Sequence, residues 1–289
     1  MRIKILAVLL IGMISVGTAS IIIKLCGASP IVIATYRMML SAAMVLPVFL
    51  YKGLKETKVK KNQIKEFVPL GILIAVHFIL WIYSLSYTSV ASSTVLVTTN
   101  PIFVPIFSFL LFREKTGKNL VLGILIAIVG STLIALSSKN LGVSRNFGNL
   151  LALLGAIAIS LYLTIGKRIR ENFSLIPYIF FVYSFAGIAL FIVALLTKQN
   201  LIHYNAKTFL LLFLVALIPQ VIGHTAYNWA LKYLSAPFIA VSILGEPIFA
   251  TIFAFFILKE VPSTLEIVGA LFIMAGVCFS SLQEASLKK

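Results

Sequence analysis

Ten stretches of the chain are apolar almost without interruption, each about 20 residues long, the length of α-helix that crosses roughly 30 Å of hydrocarbon. They cover residues 5–25, 31–51, 67–86, 90–112, 119–137, 149–167, 175–197, 208–231, 236–258 and 264–282. A barrel strand needs only about 10 residues and shows a period of two. These runs are too long and too evenly apolar for that, and lipid leaves backbone groups no partner outside their own segment, so each run predicts a helix.

A second pattern lies over the first. Shifting the numbering by 146 carries Pro101, Ile102, Phe103, Ile106, Phe107, Phe109 and Glu114 onto Pro247, Ile248, Phe249, Ile252, Phe253, Phe255 and Glu260. The same shift carries Gly123 to Gly269 and Gly130 to Gly276, and 12 of the 42 positions from Ser89 to Gly130 match in all. The chain therefore reads as an internal repeat. Five runs precede a polar linker at 138–148 and five follow it, which divides the chain into a first half 1–137, a second half 149–282 and a tail 283–289. A copy with an odd number of crossings must enter the bilayer upside down, so the predicted fold is an all-α polytopic membrane protein of two inverted-topology five-helix repeats. Substrate sites of such proteins lie near the midplane, between the repeats.

Composition agrees: 61% of residues are hydrophobic and 11% charged, against about 25% charged in an average soluble domain. The net charge of +16 would suit nucleic acid, but the distribution of the basic residues does not. With the N-terminus inside, 17 of the 24 Lys and Arg fall in inner segments, six of them between Lys52 and Lys65; five fall outside and Lys24 and Arg37 lie within runs. That bias predicts both termini in the cytoplasm of a plasma-membrane protein, with the basic loop beside anionic lipid and no nucleic-acid partner. Arg2 and Lys4 ahead of an apolar run resemble a secretory signal, yet cleavage would leave nine spans and break the pairing of halves; an uncleaved first helix is expected. Cys26 and Cys278 lie at span ends without ligand spacing, so neither a metal nor a cofactor is expected.

The segments Pro30–Arg37 (PIVIATYR), Tyr87–Glu114 and Ala230–Glu260, together with the glycines of the fifth and tenth runs, resemble the EamA-like branch of the drug/metabolite transporter superfamily. The likeness runs over essentially the whole chain. It implies ten helices made of two EamA repeats and a transport function, and says little about substrate, because members move amino acids, metabolites and drugs.

Ionisable groups inside a span cost about 2.5–3.5 kcal/mol on insertion scales and are functional candidates by default. Glu246 sits deepest, and the repeat sets Asn100 opposite it; both immediately precede a proline, Pro247 and Pro101, that can kink its helix. Glu246 is either a proton carrier or counter-ion for a substrate amine, or a structural acceptor between helices. Gln220, His224 and Asn228 recur at intervals of four and so share a helix face, as do His77, Trp81 and Ser84; an offset of 147 pairs His77 with His224. The histidines are proton-coupling candidates alongside Glu246, and Trp81 can stack on an organic cation; the alternative is plain interhelical hydrogen bonding. Arg37, some seven residues into the second run, either meets a substrate carboxylate or pairs with Glu246 or carbonyls. Ser92, Ser93, Thr98 and Thr99 are expected to bond within their own helix. The glycines at 123, 130, 269 and 276 predict close-packed faces, one use of which is the seam of a homodimer.

The leading expectation is a secondary transporter exporting a small polar metabolite, such as an amino acid, by alternating access. The candidate substrate set is Arg37, His77, Trp81, Asn100, Gln220, His224, Asn228 and Glu246. A drug or quaternary-amine exporter of the same fold is the alternative. No GxxxxGK[ST] motif supports ATP use. An intramembrane enzyme would need a catalytic pair built from Glu246 and a histidine, since there is no HExxH and no Asp; a non-transporting membrane protein would have its centre filled by side chains.

Overall fold

The computed structural model describes residues 2–53, 61–88, 90–137, 145–259 and 263–286. Among these residues there are ten helical spans and no strand. α1 comprises Arg2–Gly17 and Ala19–Leu25, and α2 is Pro30–Val48 with a π turn at Phe49–Gly53. α3 is Phe67–Tyr87, α4 comprises Val90–Val97 and Asn100–Phe112, and α5 is Lys118–Ser137. In the second half, α6 is Arg145–Asn172, α7 is Leu175–Leu196, and α8 joins Ala206–Val215, a π-helical segment Ala216–His224 and Thr225–Ala230. α9 comprises Ala236–Ile243, Glu246–Phe253 and a π turn Ala254–Leu258, and α10 is Thr264–Ser286. Eight spans are long and apolar enough to cross a membrane whole, and α5 and α10 carry shorter apolar runs, Lys118–Leu133 and Ile267–Ser280.

Local sequence sets several starts. Ser29, Asn205 and Ser235 occupy N-cap positions, accepting from the amides of Val32, Thr208 and Phe238, and Pro30 and Pro237 follow in the first turn, where a missing N–H costs nothing. α6 extends past the expected end at 167. Lys167, Arg168 and Arg170 lie on the helix rather than after it, supported by Lys167–Glu171 (3.4 Å) and Arg168–Glu171 (3.7 Å) pairs. Of the expected linker, 138–144 lies outside the described residues and Arg145–Gly148 forms the first turn of α6; α10 continues to Ser286, with 287–289 outside, as are 54–60 of the basic loop.

The helices pair as an inverted duplication requires. α2 packs on α7 antiparallel: the Thr35 hydroxyl donates to the Leu190 carbonyl (3.3 Å), while Phe49 stacks on Phe180 at 4.2 Å. The first half of α4 meets the second half of α9 and the reverse, so these two are antiparallel as well. α3 packs on α6, and its repeat counterpart α8 packs on α1. α3 is the central strut: Phe67, Leu70, Ile74, Phe78, Trp81 and Ile82 form a fully buried stripe at helical spacing.

α5 and α10 form the closest seam. A Cβ on Gly123 would lie 2.6 Å from the Gly276 carbonyl oxygen, and one on Gly130 would overlap the Gly269 carbonyl. Under the shift of 146 the pair 123/276 becomes 269/130, which is the other pair. A contact that maps onto its twin in reversed order is the signature of a pseudo-two-fold axis. It also corrects one expected use of these glycines: they join the two halves of one chain, so a homodimer would need another face.

Candidate functional site

Both α4 and α9 are broken, and at equivalent places. A proline at position i has no N–H for the carbonyl of i−4, and its ring crowds that carbonyl. Pro101 and Pro247 therefore strip the partners from Val97 and Ile243, which are the residues where the first half-helices end. Asn100 and Glu246 each become the first residue of the second half-helix. Discontinuous spans of this kind present helix ends near the bilayer midplane, where a solute can reach them. The hydroxyls just before the α4 break stay local, Thr98 bonding the Thr94 carbonyl (2.8 Å) and Thr99 that of Leu96 (2.7 Å); Ser93 meets Ser84 of α3, and the side chain of Ser92 lies outside the described residues.

The two breaks face one small cavity with about 370 Å³ of non-atom space, lined by Val16, His77, Trp81, Val97, Thr98, Asn100, Ile159, His224, Tyr227, Ile243 and Glu246. Its walls come from α1, α3 and α4 and from their counterparts α6, α8 and α9. Val97/Ile243, Asn100/Glu246 and Trp81/Tyr227 are related by the shift of 146, and His77/His224 by 147, so the cavity lies on the pseudo-axis. Most of the space is slivers between side chains, with room for about one or two waters.

The polar groups around this space are largely unpaired. Both polar atoms of the Asn100 amide, Nε1 of Trp81 and the Tyr227 hydroxyl are buried without a hydrogen-bond partner, a cost of about 1–3 kcal/mol each unless something else satisfies them. Among the described residues no cation lies within 4.0 Å of the Glu246 carboxylate. His77 is fixed: its Nδ1–H donates to the Gly155 carbonyl (3.0 Å), and the ring lies nearly parallel to Trp81 with centroids 6.2 Å apart. His224 sits edge-on to Phe78 at 5.4 Å and to Tyr227 at 6.2 Å.

The remaining expected residues lie outside the lining. Arg37, fully buried on α2, donates from Nε to Oε1 of Gln220 (2.9 Å), and its guanidinium lies 4.0 Å above the Phe78 ring. It does not form the ion pair with Glu246 that the sequence allowed. Asn228 turns away, its Oδ1 accepting from the Tyr162 hydroxyl (2.8 Å). The face shared by Gln220, His224 and Asn228 on an ideal helix is split because Pro219 opens α8 into a π-helical stretch, where the Thr225 amide reaches five residues back to Gln220. Gln220 then meets α2, His224 the cavity, and Asn228 the end of α6.

One residue there escaped the sequence. Arg170, only 1% exposed, donates to the carbonyls of Asn228 (2.8 Å) and Phe173 and lies over the Tyr178 ring at 5.7 Å. Its place in a basic run at a span end disguised it as a cytoplasmic charge. The usable signal is register: the shift of 146 aligns it with Lys24, the other cation at the end of a first span of a repeat.

The chain matches the EamA-like transporter family twice, over residues 3–136 and 146–282. It belongs to that family. It is 25% identical over 283 residues to the uncharacterized transporter YdfC of Bacillus subtilis, covering 97% of this chain and 91% of that one. It is 27% identical over 265 residues to an uncharacterized transporter of Clostridium kluyveri, covering 87% and 84%. A solved crystal structure superposes with a TM-score of 0.79 over 99% of both chains at 14% identity, which speaks to the fold alone. This EamA-family protein is thus a multi-pass membrane transporter of a small molecule, not an enzyme.

Proposed function

We propose that this EamA-family protein is a secondary transporter that exports a small polar metabolite, of the amino-acid class, across the plasma membrane by alternating access. Residues 1–137 and 149–282 act as the two rocking halves, and the termini face the cytoplasm. The observation that carries this reading is the cavity on the pseudo-axis: one unpaired carboxylate, Glu246, among unpaired amide, indole and phenol groups, at two breaks that let the half-helices move. The cavity is too narrow for a solute as it stands, so loading requires the halves to separate, which is what alternating access supplies. Glu246 serves as the coupling or counter-ion group, with His77 and His224 as lesser candidates for proton transfer. Gln220 and Asn228 position neighbouring groups instead of lining the cavity.

The test is transport in proteoliposomes with and without an imposed pH gradient, wild type against Glu246→Gln. Loss of gradient-driven transport in a variant that melts like wild type is the expected result; unchanged transport removes Glu246 from the mechanism. A second reading, export of drugs or quaternary amines, draws on the aromatic wall of Trp81 and Tyr227 beside the carboxylate. Transport of such cations, with amino acids inert, selects it.

A further inference from the structure

Beside the central cavity lies a buried cation with no direct ion-pair partner among the described residues. Arg37 is fully buried, and both terminal nitrogens, Nη1 and Nη2, lack hydrogen-bond partners. Among the described residues no carboxylate lies within 4.0 Å. Its orientation is nevertheless fixed from two sides, by the bond from Nε to Gln220 and by the Phe78 ring beneath the guanidinium plane. Gln220 is fixed in turn: turning its amide over would set two donors against each other, so Oε1 must face Arg37 and Nε2 is left free. Trp81, whose ring centroid is 5.8 Å from the guanidinium carbon, adds an unpaired indole N–H and is also part of the cavity wall.

The unpaired groups gathered here are all donors. Two guanidinium nitrogens and the Gln220 carboxamide nitrogen lie within one contact, with the Trp81 ring beside the guanidinium, and all four unpaired nitrogens are donors. A fixed Arg fork with both arms open matches a planar two-oxygen anion, which it binds through two parallel hydrogen bonds. The complementary groups line the central cavity together with Trp81, where Glu246 supplies a carboxylate and Asn100 an uncommitted amide. We infer that Arg37, aided by Gln220 and Trp81, is the seat of a substrate carboxylate. The solute that satisfies both ends is then a zwitterion, with its ammonium toward Glu246. This rests on the transport reading above and narrows it: a cationic drug or a plain amine would leave Arg37 unanswered. The competing role for Arg37 is purely structural, tying α2 to α8.

Binding and transport are measured separately to tell these apart. Thermal stabilisation of the full-length protein in detergent is read against the twenty L-amino acids, each beside its carboxamide counterpart, which keeps the ammonium and loses the anion. The expected result is that one or more acids stabilise the wild type while their amides do so about 10- to 100-fold more weakly, the range for hydrogen bonds to a charged group. Arg37→Gln should bring the acid-to-amide ratio near one. Arg37→Lys, which keeps the charge without the fork, should retain part of it. Trp81→Phe keeps the ring and removes the N–H, so a fall of several-fold for acids but not amides is expected, and it serves as the readout if Arg37→Gln does not fold. Equal binding of acids and amides by wild type, or an undiminished ratio in Arg37→Gln, overturns the carboxylate seat. So does binding of choline and simple amines without any amino acid, a result that leaves the transport reading standing. Amino acids that bind but do not cross proteoliposomes keep the seat and sink the transport reading.

Discussion

The breaks in α4 and α9 are one backbone device carrying two chemistries. In each, a proline ends the first half-helix four residues upstream and a polar side chain opens the second. In α4 that side chain is the neutral Asn100, and in α9 it is the acidic Glu246. Both second halves present apolar residues outward, Ile102, Ile106, Phe109, Leu110 and Leu111 on α4 and Ile252, Phe255, Phe256 and Ile257 on α9. Duplication copied the hinge, and the charge stands on one side only. Geometry is therefore shared between the halves, while any exchange of protons or cations at the breaks belongs to the second.

Exchanging the chemistry tests this most severely. Glu246→Gln should cut gradient-driven transport at least about 10-fold, the scale of losing an interaction with a charged group, and Asn100→Ala should do much less; equal losses in the liposome assay would make the site symmetric. Next in size are the prolines. Pro247→Ala restores a donor for Ile243 and favours a continuous helix, since a mid-helix proline costs about 3 kcal/mol; thermal melting should rise while transport falls, and Pro101→Ala should repeat this on α4. A rise in both would show that the breaks are not hinges. Outside the breaks, Gly123→Leu forces a side chain into the Gly276 backbone and should destabilise by about 1–3 kcal/mol or more, seen as a lower melting temperature, whereas Val121→Leu at an exposed position of the same helix should be silent. The smallest effect is expected from Arg170→Met, whose two lost carbonyl contacts are partly offset by no longer burying a cation; it should lower melting without changing solute preference.

The repeat, the ten spans and the paired breaks were legible in the sequence because lipid makes apolar runs obligatory and because prolines at 101 and 247 write their effect directly into the backbone. The gathering of His77, Trp81, Asn100, His224 and Glu246 followed from the same register. What lay beyond reading was helix winding and helix length. Nothing in the alternation of residues announces that α8 widens over Ala216–His224, around Pro219, and that widening separates Gln220 and Asn228 from His224. Arg170 was hidden because a basic residue two positions from a helix end looks the same whether it faces water or reaches back under the next helix. The sequence left open whether Arg37 meets Glu246; only the fold brings Gln220 to it.

The bond between Arg37 and Gln220 also constrains how the protein is made. The two residues are 183 positions apart, which is about 10–40 s of synthesis at ordinary ribosomal speed. Through that interval α2 has entered the bilayer with a guanidinium whose eventual anchor has not yet left the ribosome. The first five helices therefore cannot reach their final packing as a finished unit before α8 arrives.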